Sequence, residues 1–165
     1  MSTVDLEFRL NFRLNGAPRM ASVEPRLTLL DFLRQDMGAS GTHTGCEHGV
    51  CGACSILLDG VPVRACLMLA VQAQDCHITT VEGLCNDDGG PGILQDAFIE
   101  AHGMQCGYCT PGMLISAQAL LAGNADPSLD DIKDAIGGNL CRCTGYVQII
   151  EAIQLAARRL REVAP

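Results

Sequence analysis

Residues 4 to 14 alternate strictly between apolar and polar side chains. Every even position from Val4 to Leu14 is apolar, and every odd position between them carries a charge or an amide. A period of two residues predicts a strand with one buried face. The Asn15-Gly16 pair that follows is a strong hairpin signal. We therefore expect the chain to turn there and to return as a second strand near Arg19 to Val23.

One short helix and three more strands are predicted between this hairpin and residue 81. Thr28 is a typical N-cap residue, and Asp31 at the third position forms an approximate capping box, which predicts a helix over residues 28–36. Short apolar runs bounded by turn residues predict strands at residues 55–59, 61–63 and 78–81. Two strands, a helix and further strands in this order are typical of the β-grasp fold of ferredoxins.

The composition changes at residues 86–92, which lack large apolar side chains and predict a connecting loop. Apolar periodicity and the placement of Pro and Gly then predict four helices, at residues 93–102, 110–123, 128–136 and 147–161. In this interpretation Thr110 caps the second of these helices and Pro111 is its first residue. We predict an α+β chain with an N-terminal β-grasp ferredoxin-like domain at residues 1–80 and a C-terminal four-helix bundle domain at residues 81–165.

Composition and charge limit the possible functions. Of the 165 residues 48% are hydrophobic and 18% are charged, as in a globular protein with a core. The net charge of −8 would repel a phosphate backbone, so nucleic-acid binding is not expected. No apolar run reaches the about 18 residues needed to span a membrane, and residues 1–14 lack the features of a secretory signal. We expect a cytoplasmic protein that binds neither nucleic acid nor membrane.

Three of the ten cysteines lie in a glycine-rich stretch that ends at residue 54. Cys46, Cys51 and Cys54 have the C-x4-C-x2-C spacing by which plant-type ferredoxins bind a 2Fe-2S cluster. The fourth ligand must come from further along, and Cys66 is the nearest candidate. Glycines suit such a loop because backbone wrapped closely around a cluster needs positive φ angles. N–H groups directed at the sulfurs would stabilise the anionic cluster.

Two further cysteine pairs lie in the helical half, each before a predicted helix. Cys106 and Cys109 precede the second helix, and Cys141 and Cys143 precede the fourth. Unpaired N–H groups and the dipole at a helix N-terminus favour the thiolate over the thiol. Four converging thiolates would suit a second 2Fe-2S cluster.

Other interpretations of the cysteines stay open at this point. The first set could form a zinc knuckle or disulfides, although structural zinc sites usually close with a second pair or with histidines. The C-x2-C pair could be a redox dithiol, but it lacks the βαβ setting of thioredoxin. His48 could be a ligand as in a Rieske centre, and Cys76 could replace Cys66. Otherwise Cys76 and Cys85 are interpreted as ordinary thiols.

The strings GCEHGVCGAC, QCGYCTPGM and GNLCRCTGY resemble the small iron–sulfur subunit of the molybdenum hydroxylases. That family includes xanthine dehydrogenase, aldehyde oxidoreductase and aerobic carbon monoxide dehydrogenase. The resemblance covers nearly the whole chain and all eight cysteines of the two sets. It implies an electron-transfer subunit of an oxidoreductase, which relays electrons from molybdopterin in a large subunit through two 2Fe-2S clusters to FAD in a medium subunit. These subunits would form a heterotrimer, and its dimerisation is left open.

The resemblance also implies roles for individual residues. The cluster nearer the flavin would be held by Cys46, Cys51, Cys54 and Cys66. The cluster nearer molybdenum would be held by Cys106, Cys109, Cys141 and Cys143. Gln105 matches a glutamine that hydrogen-bonds the pterin, a contact that suits an amide with both a donor and an acceptor. Cys143 matches the ligand whose sulfur approaches the pterin amino group.

The sequence contains no plausible acid–base pair or substrate pocket, so we expect the bond-making chemistry to lie on another subunit. Two other functions stay open, namely a free-standing two-cluster ferredoxin and a structural zinc-binding interaction module. Co-purification with larger subunits would separate the first of these from a complex subunit. Iron and acid-labile sulfide analysis would exclude the second.

Overall fold

The computed structural model describes residues 7–163. The chain begins with strands β1 (Phe8–Leu14) and β2 (Ala17–Val23) and the short helix α1 (Leu29–Asp31), which continues as a π-helical segment over Phe32–Asp36. Three strands follow, namely β3 (Ser55–Leu58), β4 (Val61–Arg64) and β5 (His77–Thr79). The remaining elements are the helices α2 (Ile93–Glu100), α3 (Thr110–Gly123), α4 (Leu129–Ile136) and α5 (Val147–Val163). The predicted α+β class is confirmed.

The five strands form one sheet in the order β2-β1-β5-β3-β4. β1 pairs parallel with β5, and the other neighbouring strands are antiparallel. The β1–β2 hairpin turns at Asn15 and Gly16, whose φ angles of 50° and 81° are those that a tight hairpin turn requires. The predicted alternation is confirmed from Arg9 to Leu14, but Phe8 at the start of the strand is exposed, against the prediction. Val4 and Leu6 lie outside the described residues.

The first hydrophobic core lies between the sheet and α1 with its π-helical extension. Its fully buried side chains are Leu10, Leu29, Phe32, Leu33, Ile56 and Ile78. The rings of Phe12 and Phe32 meet edge to face with centroids 5.5 Å apart, a favoured geometry for aromatic pairs. A helix packed on a sheet of this strand order is the predicted β-grasp.

The second hydrophobic core lies among α2, α3, α4 and α5. Its fully buried side chains include Phe98, Met113, Ile132, Ile149 and Ile153. α5 packs along α2, and α3 contacts both α4 and the strands β3 and β4 of the sheet. The two halves of the chain therefore meet where α3 lies against the β3–β4 hairpin. No helix within residues 7–163 is long and apolar enough to cross a membrane.

Several of the predicted element ends are wrong, and two of them have a local cause. The last strand ends at Thr79 and not at residue 81, because residues 81–84 form a 3-10 helix. Thr110 is the first residue of α3 and does not cap it. Cys109 takes the cap position, where its carbonyl accepts the N–H of Met113 at 3.0 Å, so that Pro111 moves to the second helical position.

Candidate metal centres

The loop before β3 folds three cysteines towards one another. Left-handed backbone at Glu47, Gly49 and Gly52, with φ of 58°, 82° and 75°, gives the loop its tight bends. A Cβ on Gly49 would collide with the side chain of Leu67. The cysteine at the end of the loop, Cys54, is 2% exposed and leads directly into β3.

The β3–β4 hairpin brings Cys66 to this loop. Ser55 pairs with Arg64 in the antiparallel register, so the residues just outside this pair lie side by side. The N–H of Ala65 accordingly donates to the carbonyl of Cys54 at 3.2 Å. The thiol of Cys66 is within hydrogen-bonding contact of the Cys54 thiol. The structure therefore brings together all four cysteines of the first predicted set.

Backbone N–H groups and burial act in opposite directions on these thiols. The N–H of Cys51 donates to Cys46 Sγ at 3.4 Å. This bond and a second one from the N–H of His48 lower the pKa of Cys46 to about 6, because they stabilise the thiolate. Burial instead raises the pKa of Cys54 to about 11. A metal ion would take the place of the Cys54 proton, since the thiolate is the form that binds metal.

The second set lies between the start of α3 and the loop before α5. Cys143 Sγ is 3.5 Å from Cys106 Sγ. The thiol of Cys109 contacts that of Cys141, and burial raises the pKa of Cys109 to about 12. The N–H of Tyr108 lowers the pKa of the exposed Cys106. The structure thus also brings together the four cysteines of the second predicted set.

Thr144 makes two contacts with a cysteine sulfur of the second set. Its N–H donates to Cys141 Sγ at 3.5 Å, and its Oγ1 lies 3.2 Å from the same atom. Partial burial acts to raise the pKa of Cys141, but hydrogen bonds from Thr144, Cys143 and Cys109 together outweigh it and the pKa is lowered. The sulfur therefore lies in surroundings that favour its anionic form.

The arrangement of the thiols fits a two-iron cluster at each site. A 2Fe-2S cluster takes four thiolates, two on each iron. The contacting thiols form four pairs, namely Cys46 with Cys51, Cys54 with Cys66, Cys106 with Cys143, and Cys109 with Cys141.

The two cysteine-bearing loops contact each other directly. The N–H of Leu140, the residue before Cys141, donates to the carbonyl of Cys51 at 2.9 Å. The ring of Tyr108, which lies between two cysteines of the second set, stacks on His43 with centroids 4.9 Å apart. The Tyr108 hydroxyl donates to the carbonyl of Thr44 in the first loop. Each cysteine-bearing loop therefore contacts the other through both backbone and side chains.

Comparison with known proteins gives matches over almost the whole chain. Residues 12–75 match the family described as 2Fe-2S iron-sulfur cluster binding domain, and residues 80–154 match the 2Fe-2S binding domain family. The nicotinate dehydrogenase small FeS subunit of Eubacterium barkeri is 49% identical over 150 residues, which are 91% of this chain and 95% of that subunit. The chain belongs to the small iron–sulfur subunits of the molybdenum hydroxylases.

Solved structures place the small subunit within larger enzymes. A chain of quinoline 2-oxidoreductase from Pseudomonas putida 86 is 50% identical, with a TM-score of 0.90 over 95% of this chain and 98% of that chain. Aldehyde oxidoreductase from Desulfovibrio gigas is 39% identical with a TM-score of 0.90, and the match covers 96% of this chain but 18% of that longer chain. The small subunit is the electron-transfer part of an oxidoreductase complex.

The small subunit exposes the two residues predicted to contact the pterin. Gln105 and Cys143 are both exposed, and so is Cys106. Gln105 directly precedes Cys106, whose Sγ lies 3.5 Å from Cys143 Sγ, so these three exposed residues are neighbours. A partner that reaches this surface would meet an amide and two sulfurs of the second set together.

The residues outside the two predicted ligand sets, Cys76, Cys85 and His48, make other contacts. Cys76 Sγ lies 3.5 Å from the carbonyl of Gln74, and Cys85 Sγ accepts from the side-chain amide of Gln95 at 3.6 Å. The His48 ring contacts the backbone carbonyl of Cys46 through Nδ1. None of these contacts brings a further ligand atom to the paired thiols of either set.

Sequence reasoning missed three residues of the small subunit that shape the sites. They are Tyr108, Asn139 and Thr144. Tyr108 and Thr144 lie between or directly after cysteines of the second set, and this adjacency was a signal that could have identified them. Asn139 gave no such signal, because a buried asparagine and a solvent-exposed one look the same in a sequence.

Proposed function

We propose that the eight paired cysteines hold two 2Fe-2S clusters and that the chain conducts electrons from the molybdenum side to the flavin side of its complex. Cys46, Cys51, Cys54 and Cys66 hold the first cluster. Cys106, Cys109, Cys141 and Cys143 hold the second. When bound, each cluster accepts and releases one electron at a time. The observation that carries the proposal is the 2.9 Å hydrogen bond from Leu140 to the carbonyl of Cys51, which links the two sets.

The exposure of the thiols supports the direction of transfer. The second set presents Cys106 and Cys143 at the surface with Gln105 beside them, where a pterin edge can be hydrogen-bonded. In the first set Cys54 is buried and the other three thiols are partly covered. The resemblance to the family assigns the exposed set to the molybdenum side and the covered set to the flavin side.

The proposal includes a division of the chain near residue 80 into a β-grasp domain and a four-helix bundle domain. Two separate hydrophobic cores support this division, one built from residues 10–78 and one from residues 94–157. The four helices around the second core support the bundle. Ten cysteines that are all free thiols suit a reducing compartment, and we propose the cytoplasm.

The names of the relatives suggest a substrate class for the complex. Nicotinate and quinoline are N-heteroaromatic compounds, and the relatives named after them are 49% and 50% identical to this chain. Aldehyde oxidoreductase from Desulfovibrio gigas is 39% identical. We therefore propose an N-heteroaromatic substrate, which would be bound in the large subunit.

Anaerobic reduction of the complex tests this substrate class. Nicotinate, quinoline and benzaldehyde are added separately to the oxidised complex, and the visible absorption of its cofactors is followed. One of the two heteroaromatic compounds should bleach the complex fastest. Fastest bleaching by benzaldehyde would contradict the proposed class.

The order of the clusters is tested by replacing a cysteine of the first set. In the Cys51→Ser complex, the compound that bleaches the wild type should still reduce molybdenum and the second cluster, but flavin reduction should become slow. Stopped-flow spectroscopy measures each step separately. Cys76→Ser is the matched control, because it removes a thiol outside both sets. Flavin reduction at the wild-type rate in the Cys51→Ser complex would overturn the proposed order.

Replacing Gln105 tests the first step of the proposed electron transfer, from the pterin to the second cluster. Gln105→Leu removes the amide that would pair with the pterin edge, and the unpaired edge should cost about 1–3 kcal/mol. The same stopped-flow measurement should therefore show slower reduction of the second cluster, while transfer from that cluster to the flavin is unchanged. Slow flavin reduction with a normal first step would instead place Gln105 elsewhere on the path.

A further inference from the structure

One buried asparagine connects the two cysteine-bearing halves of the chain. Asn139 is 1% exposed and lies two residues before Cys141. Its Nδ2 donates to the carbonyl of Gly52 at 3.0 Å and to Ser55 Oγ at 3.3 Å. Its Oδ1 accepts from Ser116 Oγ at 2.8 Å. Both ends of the amide are therefore satisfied by groups from distant parts of the sequence.

The partners of Asn139 belong to the segments that carry the proposed ligands. Gly52 lies within the first cluster loop, directly after Cys51. Ser116 belongs to α3, whose cap residue is Cys109. Asn139 itself belongs to the loop that leads to Cys141. One amide thus ties the first cysteine loop to both segments that carry the second set.

The surroundings of this amide leave little room for movement. A Cβ on Gly112 of α3 would meet the carbonyl of Gly52 and would lie 2.8 Å from Asn139 Nδ2. A Cβ on Gly52 would meet the carbonyl of Gly138. α3, the first cysteine loop and the loop before Cys141 therefore pack so closely that neither glycine has room for a methyl group.

Arg64 completes the network from the outer side. Its Nη1 donates to Ser55 Oγ at 2.5 Å, and its Nη2 donates to the carbonyl of Gly138 at 2.6 Å. Ser55 Oγ in turn donates to the carbonyl of Gly52 at 2.5 Å. The Arg64 guanidinium therefore links the first cysteine loop and the loop before Cys141, the same two loops that the Asn139 amide joins.

We infer that Asn139 is a positioning residue that fixes the separation and orientation of the two clusters, and with them the rate of transfer between the clusters. The inference rests on the proposed ligand assignment. The hydrogen bond from Leu140 to Cys51 is made by the residue next to Asn139, so it depends on the same loop contact. Loss of the amide leaves the buried Ser116 hydroxyl without its acceptor, and the interface relaxes to restore hydrogen bonds.

The test uses the magnetic interaction between the two reduced clusters, which depends on their separation and orientation. Asn139→Ala and the control Asn124→Ala are prepared in the whole complex. Asn124 lies between α3 and α4, where its side chain bonds Asp126 and Asp131 and none of the residues around the proposed ligands that the structure describes. Low-temperature electron paramagnetic resonance is recorded after complete reduction with dithionite. The Asn139→Ala complex should show a smaller or heterogeneous splitting, and the Asn124→Ala complex should show the wild-type splitting.

Iron and acid-labile sulfide analysis establishes that each variant carries both clusters. If the Asn139→Ala subunit does not assemble into the complex, the same measurement is made on the milder variants Ser116→Ala and Arg64→Gln. Each of these removes one side of the hydrogen-bond network around Asn139. Each should show a partial change of the splitting. Wild-type splitting in Asn139→Ala, or in both milder variants if that one does not assemble, would overturn the role of Asn139, provided that both clusters are present. Absence of two cluster signals in the wild-type complex would instead overturn the proposed function.

Discussion

At the scale of single residues, the hydroxyl of Thr144 contacts the sulfur of Cys141, a proposed ligand of the second cluster. Thr144 Oγ1 accepts the N–H of Tyr146 at 3.1 Å, and this leaves its own hydrogen for Cys141 Sγ at 3.2 Å. Hydrogen bonds to the sulfurs help to set the reduction potential of an iron–sulfur cluster, because they favour the more negative reduced state. The hydroxyl should therefore raise the potential of the second cluster.

Thr144→Val removes this hydroxyl and keeps the shape of the side chain. We predict that the potential of one of the two clusters becomes more negative, while that of the other cluster is unchanged. Thr144→Ser retains a hydroxyl and should keep the wild-type potential. A potentiometric titration followed by electron paramagnetic resonance measures both clusters in one experiment. An equal shift in the Val and Ser variants would show that the hydroxyl is not the cause.

Some of the individual residues of the two sites could be predicted from the sequence, and others could not. Spacing and the resemblance to the family predicted the eight cysteines as ligands, because these patterns can be recognised in the sequence itself. Their pairing was not predicted, since it depends on the β3–β4 hairpin and on the docking of two loops. Tyr108 and Asn139 act on partners 64 and 87 positions away, a distance that no local pattern encodes.

At the scale of elements, α4 depends on a capping box that the sequence already contains. Ser128 Oγ accepts the N–H of Asp131 at 3.2 Å, and the Asp131 carboxylate accepts the N–H of Ser128 at 2.8 Å. Ser128→Ala should destabilise the start of α4 by about 1 kcal/mol. Amide hydrogen exchange in α4 should then be roughly fivefold faster. Ser128→Thr retains the cap and is the control, and unchanged exchange in the Ala variant would contradict the prediction.

The capping box also predicts a pH dependence for α4. Hydrogen bonds from Ser128 hold the pKa of the Asp131 carboxyl below its usual value. Because the pKa of Asp131 is lower in the folded state than in the unfolded state, its ionised carboxylate stabilises the fold. This stabilisation is complete above the usual pKa of an aspartate and is lost as the pH falls through the lowered, folded-state pKa. The difference in stability between wild type and Ser128→Ala should therefore be constant near neutral pH and should shrink in acid.

Most elements could be predicted, and the exceptions have local physical causes. The helix predicted over residues 28–36 is present, but after Asp31 it widens into a π-helix in which the N–H of Met37 bonds the carbonyl of Phe32 at 3.1 Å. Apolar periodicity cannot distinguish this helix type from an α-helix over so few residues. The shift of the α3 cap from Thr110 to Cys109 moves the start of the helix by one residue, which is within the usual uncertainty of helix ends.

At the scale of the whole molecule, the sequence predicted the two structural halves but not how they are joined. A switch from two-residue to helical periodicity indicated a sheet followed by helices. The parallel pairing of β1 with β5 and the packing of α3 against the β3–β4 hairpin could not be predicted, because both depend on contacts between distant segments. This docking brings the two cysteine-bearing loops into contact, so the arrangement of the two sets is a property of the assembled molecule.

The most direct test of the central claim is the number of clusters that the chain carries in its complex. Two complete sets of four cysteines predict two 2Fe-2S clusters. Electron paramagnetic resonance of the dithionite-reduced complex should therefore show two distinguishable signals that integrate to two spins per small subunit. Cys76→Ala and Cys85→Ala should leave both signals intact. A single signal of one spin per small subunit, or the loss of a signal in either variant, would contradict the account.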